Sequence, residues 1–407
     1  MQIITPHYIM LRDKVVANLS IAFDKEIKKI APFDELIEIY PDAKVTTLQE
    51  HSLIMPGLIN AHVHIEFSKN KTELSYGDFL NWLYSVIENR ADLVNECGIE
   101  CMSEAIDTML ANGITTFGAI SSHAMDLEAC AKAKQNVVFF NELIGSQATM
   151  ADALWGDFLA RLDASKTINR EGFYPAVAIH SPYSVHPILV KKAVDIAKNE
   201  NLKLTAHFME SVAEREWLDE SSGDFKEFFE KLLSQKQSVS SAEEFLSYFE
   251  GSDVLLTHVT NANESELKTI AKNNHTVIHC PISNRLLGNP TLDINELNKN
   301  NISWIVATDG LSSNYELDLF EEMKISLFMH SSAPLLTFAQ ALLDGVTINA
   351  AKALGLNTGE IAESKNADML VIDLESEPTK ELPIHLILHR YNISKVYING
   401  KLEIGEE

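Results

Sequence analysis

The sequence predicts an α/β fold, a (β/α)8 TIM barrel that carries a small discontinuous β-sandwich-like domain built from both chain ends. Three observations lead to this prediction. Eight β-rich runs alternate with amphipathic helical patterns through the middle of the chain, both chain ends are themselves β-rich, and polar residues stand where consecutive runs end. The 407 residues are 46% hydrophobic, which is enough apolar material for a core of that size.

The two chain ends differ in pattern from the middle. Residues 1–55 alternate short β-like runs with turns, and residues 355–407 return to short strands with Gly and Asn turns. We expect these segments to pair into one small domain, with residues 56–354 forming the barrel. Helical patterns such as 189–199 and 264–273 separate the barrel strands. The eight predicted strands are 58–64, 115–120, 136–143, 174–180, 203–207, 254–258, 275–280 and 302–309.

The composition excludes two classes of partner. The chain carries 33 Lys and Arg residues against 58 Asp and Glu, a formal net charge of −25 at pH 7. A nucleic-acid backbone and an anionic membrane surface would both repel so acidic a chain, so we expect neither a nucleic-acid nor a membrane partner. No uncharged apolar run of membrane-spanning length and no secretory signal pattern is found, which makes the cytoplasm the expected location.

The four cysteines do not form a recognisable framework. They include no CxxC pair, and their spacing is not that of a small disulfide-rich domain. Cys97 and Cys101 are four residues apart on a probable helix. We expect them to be ordinary reduced thiols.

Polar side chains stand at the carboxyl ends of the predicted strands, which converge on one mouth of such a barrel. Strand 1 ends in His62-Val63-His64, and residues two apart on a strand face the same side, so both imidazoles can reach one ion. A single strand-end His is more often a packing residue, but five consecutive strand ends of this kind favour a metal site. The residues that end strands 4 to 8 are His180, His207, His258, His279 and Asp309. Such a set of His and Asp side chains suits Zn(II) or Fe(II) with one position left open.

Five segments resemble the signature segments of the amidohydrolase superfamily: PGLINAHVH, HFMES, LTHVTNAN, CPISNRLLGN and ATDGLSSN. GEIAESKNADMLVID resembles the segment with which that family returns to its small β domain, so the likeness covers nearly the whole chain. The chain is similar to the branch of aromatic aminohydrolases that includes adenosine-type, adenosylhomocysteine and guanine deaminases with triazine chlorohydrolases. The resemblance implies a metal held by four ligands: His62, His64, His207 and Asp309. Binuclear members often have a bridging carboxylated Lys where this chain has His180, which favours one divalent metal per chain, Zn(II) or else Fe(II).

The resemblance also implies acid–base groups beside the metal. Glu210, three residues after His207, would move a proton between the attacking water, a ring nitrogen and the departing amine. His258 would orient the attacking group and stabilise charge at the tetrahedral carbon. Asp309 would accept the proton of the water, whose pKa a bound metal lowers toward roughly 7. The role of His279 stays open between core packing and substrate contact.

Four residues are expected to contact the substrate. In nucleoside-type members an acidic residue after strand 1 holds the ribose hydroxyls, and Glu88 in WLYSVIENR is the candidate here, with Trp82 in the same segment. An apolar helix face is the alternative explanation for that segment. His180, in HSPYS, matches a position that contacts the nucleoside, and Ser313, in TDGLSSN, would lie near the base.

The far end of the substrate is less constrained by the sequence. Adenosylhomocysteine-type deaminases usually carry an Arg for the amino-acid carboxylate where this chain has Glu142, although Arg161 and Arg285 remain as carboxylate partners. HIEFSKNK and EREWLDESSGDFKEFF are most similar to the members of this branch that act in menaquinone synthesis, whose substrate is an adenine nucleoside with a benzoate-containing arm. The aromatic residues of the strand 5 to strand 6 connection either wall a pocket for that arm or pack their own helices: Trp217, Phe225, Phe228 and Phe229.

The expected function is metal-dependent hydrolytic deamination of an adenine nucleoside, with the nucleoside as the small-molecule partner. A homodimer is an option because related barrels often form dimers. One alternative is a broader deaminase of 5′-methylthioadenosine, adenosylhomocysteine or adenosine itself. A second is a non-catalytic scaffold of the amidohydrolase type, against which the complete ligand set and the retained Glu210 argue.

Overall fold

Eight parallel strands form a barrel in the computed structural model, which describes residues 1–69 and 73–406, with only the backbone described for residues 90–96. Each strand pairs with the next along the chain. This confirms the predicted barrel, and the predicted strand ends differ from the observed ones by a few residues. Barrel strands 1 to 8 are Leu58–Val63, Ile114–Ser121, Asn136–Leu143, Phe173–Ile179, Leu204–Phe208, Val254–His258, Thr276–His279 and Trp304–Val306.

Helices alternate with the barrel strands, as right-handed crossovers between parallel strands require. The helix Glu264–Lys272 shows how the sequence marks such an element, because Asn263 and Glu266 form a reciprocal capping box at its start. No described helix combines the length and the apolar composition that a membrane span needs. The α-helices from strand 1 onward are Phe79–Glu96, Ile99–Ala111, Leu127–Lys132, Ala151–Lys166, Pro187–Glu200, Val212–Glu220, Asp224–Leu233, Ala242–Ser247, Glu264–Lys272, Pro281–Leu286, Ile294–Lys299, Leu319–Met329, Leu335–Gly345, Ile348–Leu354 and Leu382–Leu388.

The seam between barrel strands 8 and 1 is closed by side-chain and main-chain hydrogen bonds. The buried Asn60 side chain accepts from the Thr308 amide at 3.1 Å and donates to the Thr308 hydroxyl at 2.7 Å. The Asp309 amide donates to the His62 carbonyl at 3.1 Å. The seam therefore brings together two strand ends that carry polar side chains.

Alternation along the strands decides which residues face the interior. On strand 3, Val138 and Phe140 belong to a cluster of alternate strand residues inside the barrel, whereas Val137 and Phe139 pack in the larger cluster that includes the surrounding helices. Glu142 lies two residues after Phe140 and therefore also faces inward. On strands 4 and 8, the residue two positions after the last member of the interior cluster is His180 and Asp309, respectively, so both also face inward.

A register shift changes the inward face of strand 1. Its pairing with strand 2 is irregular between Asn60 and Val63. Before the shift, Ile59 and Ala61 belong to the interior cluster, and after it Val63 packs in the outer one. An irregularity of this kind re-aims the side chains that follow it, which places the flanking histidines on the inner side.

Both chain ends contribute strands outside the barrel, as predicted. One four-stranded sheet and one six-stranded sheet share an apolar cluster, and Ser52–Pro56 pairs with Met369–Asp373 across more than 300 residues of sequence. The first sheet contains Gln2–Thr5, Ser20–Phe23, Ile27–Ala31 and Lys44–Thr47, and the helix Phe33–Ile39 lies against it. The second contains Tyr8–Met10, Val15–Ala17, Ser52–Pro56, Met369–Asp373, Asn392–Ile398 and Lys401–Ile404.

The expectation of reduced thiols at Cys97 and Cys101 is wrong. The two residues form a disulfide, with their Cα atoms 5.2 Å apart. They do not lie on one continuous helix, because the first helix ends at Glu96 and the next begins at Ile99 after the extended Gly98. This break brings the two side chains together.

Candidate active site

A cavity of about 220 Å³ opens at the carboxyl ends of the barrel strands. Its wall combines strand-end polar residues with an apolar face of the helix Phe79–Glu96. A larger groove of about 940 Å³, along the helix Ile99–Ala111 and the loop 311–317, contains none of the strand-end histidines, so we place the candidate site in the smaller cavity. The polar residues of its wall are His64, Ser122, His123, Glu142, His180, His207, Glu210, His258, Asp309, Ser312 and Ser313.

Three imidazoles and one carboxylate form a compact group at the barrel seam. The ring nitrogens of His62, His64 and His207 that face one another all lie within 4.8 Å. Asp309 Oδ1 is 3.7 Å from His62 Nε2 and 3.5 Å from His64 Nε2. His62 Nε2 is buried and has no hydrogen-bond partner in the described part of the chain. This donor set fits a divalent metal ion, as the sequence predicts.

Neighbouring groups orient these imidazoles. His207 Nδ1 donates to the His180 carbonyl at 2.8 Å, which leaves Nε2 as the nitrogen available to a metal. Burial, reinforced by the adjacent histidines, holds the pKa of His207 well below its usual range, so its imidazole is neutral at pH 7. His62 Nδ1 lies 3.2 Å from the Thr257 hydroxyl.

Asp309 is held from several sides in a left-handed backbone conformation, with φ of 59°. Its Oδ2 accepts from the Ser283 hydroxyl at 2.7 Å and from the Ser313 hydroxyl at 2.9 Å, and its Oδ1 accepts from the Gly310 amide at 2.8 Å. Although burial raises the pKa of Asp309, the adjacent imidazoles of His62, His64 and His258 bring it well below its usual range. Gly310 is needed here, because a Cβ would lie 2.8 Å from that of His64.

Glu210 and His258 face each other in the same cavity. Glu210 Oε1 lies 3.5 Å from His258 Nε2 and accepts a long hydrogen bond of 3.5 Å from the side-chain Nδ2 of Asn289. Burial, with the charges of Asp309 and Glu214, raises the pKa of Glu210 well above its usual range. Burial lowers the pKa of His258 to about 4, and its Nδ1 pairs with Asn284 Oδ1 at 2.9 Å. A carboxyl group that can hold a proton at neutral pH thus faces an uncharged imidazole.

Glu214 fixes the turn that presents Glu210. Its buried carboxylate accepts from the Met209 amide at 3.0 Å and from the Glu210 amide at 2.7 Å. Met209 adopts a left-handed conformation with φ of 51°, which costs free energy in a residue other than glycine. The two hydrogen bonds stabilise this turn, so Glu214 controls where the Glu210 side chain points.

We expect Glu214→Gln to lower kcat about 10- to 100-fold while metal content and melting temperature change little. Glutamine offers one acceptor oxygen in place of two, so one amide of the 209–210 turn loses its partner. Steady-state kinetics and metal analysis would check this, with the exposed Glu220→Gln from the same helix as the matched control. An unchanged kcat in the Glu214 variant would contradict the assigned role.

Three of the four predicted substrate contacts line the cavity. Trp82 donates from Nε1 to the Ser312 carbonyl at 2.8 Å, and His180 and Ser313 lie on the polar wall. Glu88 does not line the cavity: its side chain is exposed on the helix Phe79–Glu96. Helical spacing turns a different set of that helix's residues toward the cavity, Phe79, Trp82, Leu83, Val86 and Ile87.

The remaining candidate residues differ in whether they line the cavity. Glu142 lies in the cavity wall, but neither Arg161 nor Arg285 does, and no Lys or Arg is among the described residues that line it. Arg161 instead donates to the Glu142 carbonyl at 2.9 Å. His279 points away from the cavity, where its Nε2 lies 3.0 Å from that of His330. Packing is therefore the alternative that the structure supports for His279.

The aromatic residues of the strand 5 to strand 6 connection pack against their own helices. Trp217, Phe225 and Phe229 are almost fully buried, and the Trp217 and Phe229 rings stack with centroids 4.9 Å apart. None of this group lines the cavity. Phe225 contacts Phe79 and Tyr183, so the strand 5 to strand 6 connection packs against residues of the cavity wall on the side away from the cavity.

The sequence is similar to a known protein family and to characterised relatives over nearly its whole length. The model of the amidohydrolase family matches residues 53–402. The chain is 46% identical over 408 residues to the aminodeoxyfutalosine deaminase of a Nitratiruptor species, with 100% of both chains covered. It is 34% identical over 394 residues to the adenosine deaminase of Helicobacter pylori, with 95% of both covered.

A solved structure matches the whole fold. The crystal structure of Helicobacter pylori aminofutalosine deaminase in complex with methylthio-coformycin superposes with a TM-score of 0.93 at 33% identity. The match covers 99% of this chain and 100% of that one. The barrel and the two chain-end sheets are therefore shared over their full length.

Proposed function

This chain belongs to the amidohydrolase family, and from that premise we propose that it is a hydrolytic deaminase that converts aminodeoxyfutalosine to futalosine and ammonia in menaquinone biosynthesis. The observation that carries the proposal is the pairing of Glu210 with His258, 3.5 Å apart, beside the His and Asp group at the barrel seam. The 46% identity to a full-length aminodeoxyfutalosine deaminase supports the choice of substrate.

We propose one divalent metal ion per chain, with His62, His64, His207 and Asp309 as its ligands. Zn(II) is the preferred ion and Fe(II) the alternative, because both accept this donor set. Bound there, the ion would supply Lewis-acid activation of the attacking water. The unpaired and buried His62 Nε2 supports this assignment, since an orphaned nitrogen of that kind calls for a partner.

The chain's own residues move the protons. Glu210, whose pKa burial raises, accepts the proton of the attacking water and delivers it to N1 of the adenine ring. His258 donates from Nδ1 to Asn284 Oδ1, which turns the lone pair of Nε2 toward the reaction site, where it accepts a hydrogen bond from the attacking water and orients it toward C6. Asp309, held by Ser283 and Ser313, stays ionised and assists removal of the water's second proton.

Collapse of the tetrahedral carbon releases the amine. After protonating N1, Glu210 is ionised again; it takes the second proton of the water with the assistance of Asp309 and gives it to the leaving amino group. The C6–N6 bond then breaks and leaves a carbonyl on the purine. Water and the amino compound are thus consumed, and the hypoxanthine nucleoside and ammonia are formed. Glu210 returns to its starting protonation state, so no further reactant is needed.

The apolar part of the cavity suits an aromatic substrate arm. Five apolar side chains of the helix Phe79–Glu96 face the cavity, and Ile87 keeps 40% of its surface exposed there. An exposed apolar helix face beside a polar reaction site gains free energy when an apolar group covers it. Trp82, fixed by its hydrogen bond to Ser312, presents a ring on which the arm can stack.

A broader 5′-modified adenosine deaminase is the second candidate, favoured by the 34% identity to an adenosine deaminase. The test compares aminodeoxyfutalosine, 5′-methylthioadenosine, adenosylhomocysteine and adenosine by ammonia release and by the ultraviolet change from adenine to hypoxanthine. We expect the first to have the highest kcat/KM by about tenfold or more, because the apolar face discriminates among arms. Comparable values for all four would establish the broader enzyme instead.

The cytoplasmic location and the homodimer stay predictions of the sequence. We also propose the division into residues 1–55 with 355–407 and residues 56–354 as two domains. The six-stranded sheet supports it, because that sheet joins strands from both chain ends.

A further inference from the structure

Glu142 is a buried carboxylate in the active-site cavity that the proton steps do not use. Its side chain is 1% exposed and continues the inward-facing register of barrel strand 3, two residues beyond Phe140. Oε2 accepts from the Ser122 hydroxyl at 2.6 Å, whereas Oε1 has no hydrogen-bond partner within residues 1–69 and 73–406. A buried carboxylate oxygen without a partner is costly, which points to a donor supplied by a bound molecule.

The position of Glu142 relative to His207 limits what that donor can be. Glu142 Oε1 lies 3.9 Å from His207 Nδ1, which already donates to the His180 carbonyl. The carboxylate is therefore on the Nδ1 side of the ring and beside His180, deep among the strand ends. A substrate group that meets it must lie close to the purine and cannot belong to the far end of a long arm.

Only one kind of group on the proposed substrate can donate a hydrogen bond to Glu142. The purine ring nitrogens N3 and N7 are acceptors, and a benzoate carboxylate is an anion, so a carboxylate would repel both. The reacting amino group belongs at Glu210 and His258. The ribose hydroxyls are the remaining donors, and they are attached next to the purine.

Resting on the proposed function, we propose that Glu142, held in place by Ser122, binds the ribose hydroxyls and selects ribonucleosides. Two features of the wall agree with this role. The Ser122 hydroxyl occupies Oε2 and fixes the carboxylate plane, leaving Oε1 free for the sugar. Arg161 holds the Glu142 main chain from outside the cavity, by donating to its carbonyl, without neutralising the carboxylate itself.

The test measures kcat/KM of the metal-loaded wild type and of Glu142→Gln on adenosine, 2′-deoxyadenosine, 3′-deoxyadenosine and 2′,3′-dideoxyadenosine, with aminodeoxyfutalosine as reference. Where turnover is slow, competitive inhibition of the reference reaction gives the affinity. We expect the wild type to lose about 10- to 100-fold when the hydroxyls are removed. Glu142→Gln should lose a similar factor on adenosine, mainly through KM, and should treat the dideoxy compound as the wild type does.

Matched variants separate this role from a structural one. Ser122→Ala should shift the same selectivity ratio by a smaller factor, and it serves if Glu142→Gln does not fold. Metal content and melting temperature of Ser122→Ala and Glu142→Gln should equal those of the wild type. Glu88→Gln tests the other acidic candidate, and an effect on ribose selectivity at Glu88 but not at Glu142 would overturn the proposal.

Two further results would also overturn it. One is equal ribose selectivity in the wild type and in Glu142→Gln, which rejects the role of Glu142 while leaving the deaminase intact. The other is a second metal ion that the wild type binds and Glu142→Gln loses, which would make Glu142 a metal ligand. If the wild type deaminates no adenine nucleoside, the proposed function itself is wrong.

Discussion

Glu210→Gln is expected to reduce kcat at least about a thousand-fold while the metal stays bound. Glutamine preserves the size of the side chain and its contact with Asn289, but it cannot accept a proton from water or deliver one to the ring and the amine. The buried site offers His258 as the nearest alternative base, and its pKa of about 4 makes it a poor proton carrier at neutral pH. Single-turnover and steady-state kinetics on aminodeoxyfutalosine, with metal analysis of the same sample, measure both halves of the expectation.

The control separates loss of the acid–base group from loss of structure. Glu216→Gln changes an exposed residue of the following helix and should retain full activity. Substrate affinity of Glu210→Gln, measured by binding under conditions without turnover, should stay within about tenfold of the wild type, because the variant removes a proton carrier and not a wall of the cavity. A kcat within tenfold of the wild type would rule out Glu210 as the proton carrier.

The strand-end residues illustrate how far alternation along a strand can predict a site. Counting by two from Val138 and Phe140 leads to Glu142, and counting by two from Ile278 leads to Cys280 and passes over His279. The same arithmetic therefore predicts that Glu142 faces inward and that His279 faces outward. Residue type alone leaves the role of His279 open between packing and substrate contact.

Other parts of the site have no local signal in the sequence. Three strand ends carry non-glycine residues in the left-handed region, at Met209, His258 and Asp309, and only the surrounding hydrogen bonds explain how these conformations are sustained. On strand 1, spacing predicts that the two histidines share a face, but the register shift decides which face it is.

The helix Phe79–Glu96 shows a related limit. Its apolar residues at spacings of three and four predict one covered face, yet the sequence does not reveal that this face meets the cavity and not the protein core. Glu88 follows directly after that face and is exposed. The segment and the burial pattern therefore give two different candidates for sugar binding, Glu88 and Glu142, which the ribose-selectivity measurements distinguish.

Removing the metal is expected to abolish turnover and to lower the melting temperature by several degrees. Without the ion, the buried Asp309 carboxylate and the His62, His64 and His207 nitrogens lose the partner that compensates their burial. Dialysis against a chelator, followed by calorimetry and by readdition of Zn(II) or Fe(II), tests both effects and identifies the ion that restores activity. The stability readout is independent of the assay, because binding to the native state alone shifts unfolding by mass action.

Substitution of one ligand distinguishes this site from adventitious binding. His64→Ala should lower the bound metal from about one ion per chain to a small fraction of that and should reduce kcat/KM at least about a thousand-fold. His389→Ala, at an exposed histidine near the carboxyl-terminal end of the chain, should change neither quantity. If His64→Ala retained both its metal and its activity, the ion would be held elsewhere and the barrel-seam group would have to be a packing cluster. That outcome is disfavoured by the orientation of its parts, because His207 commits Nδ1 to the protein and leaves Nε2 for the group, and Asp309 turns Oδ1 toward Nε2 of both His62 and His64.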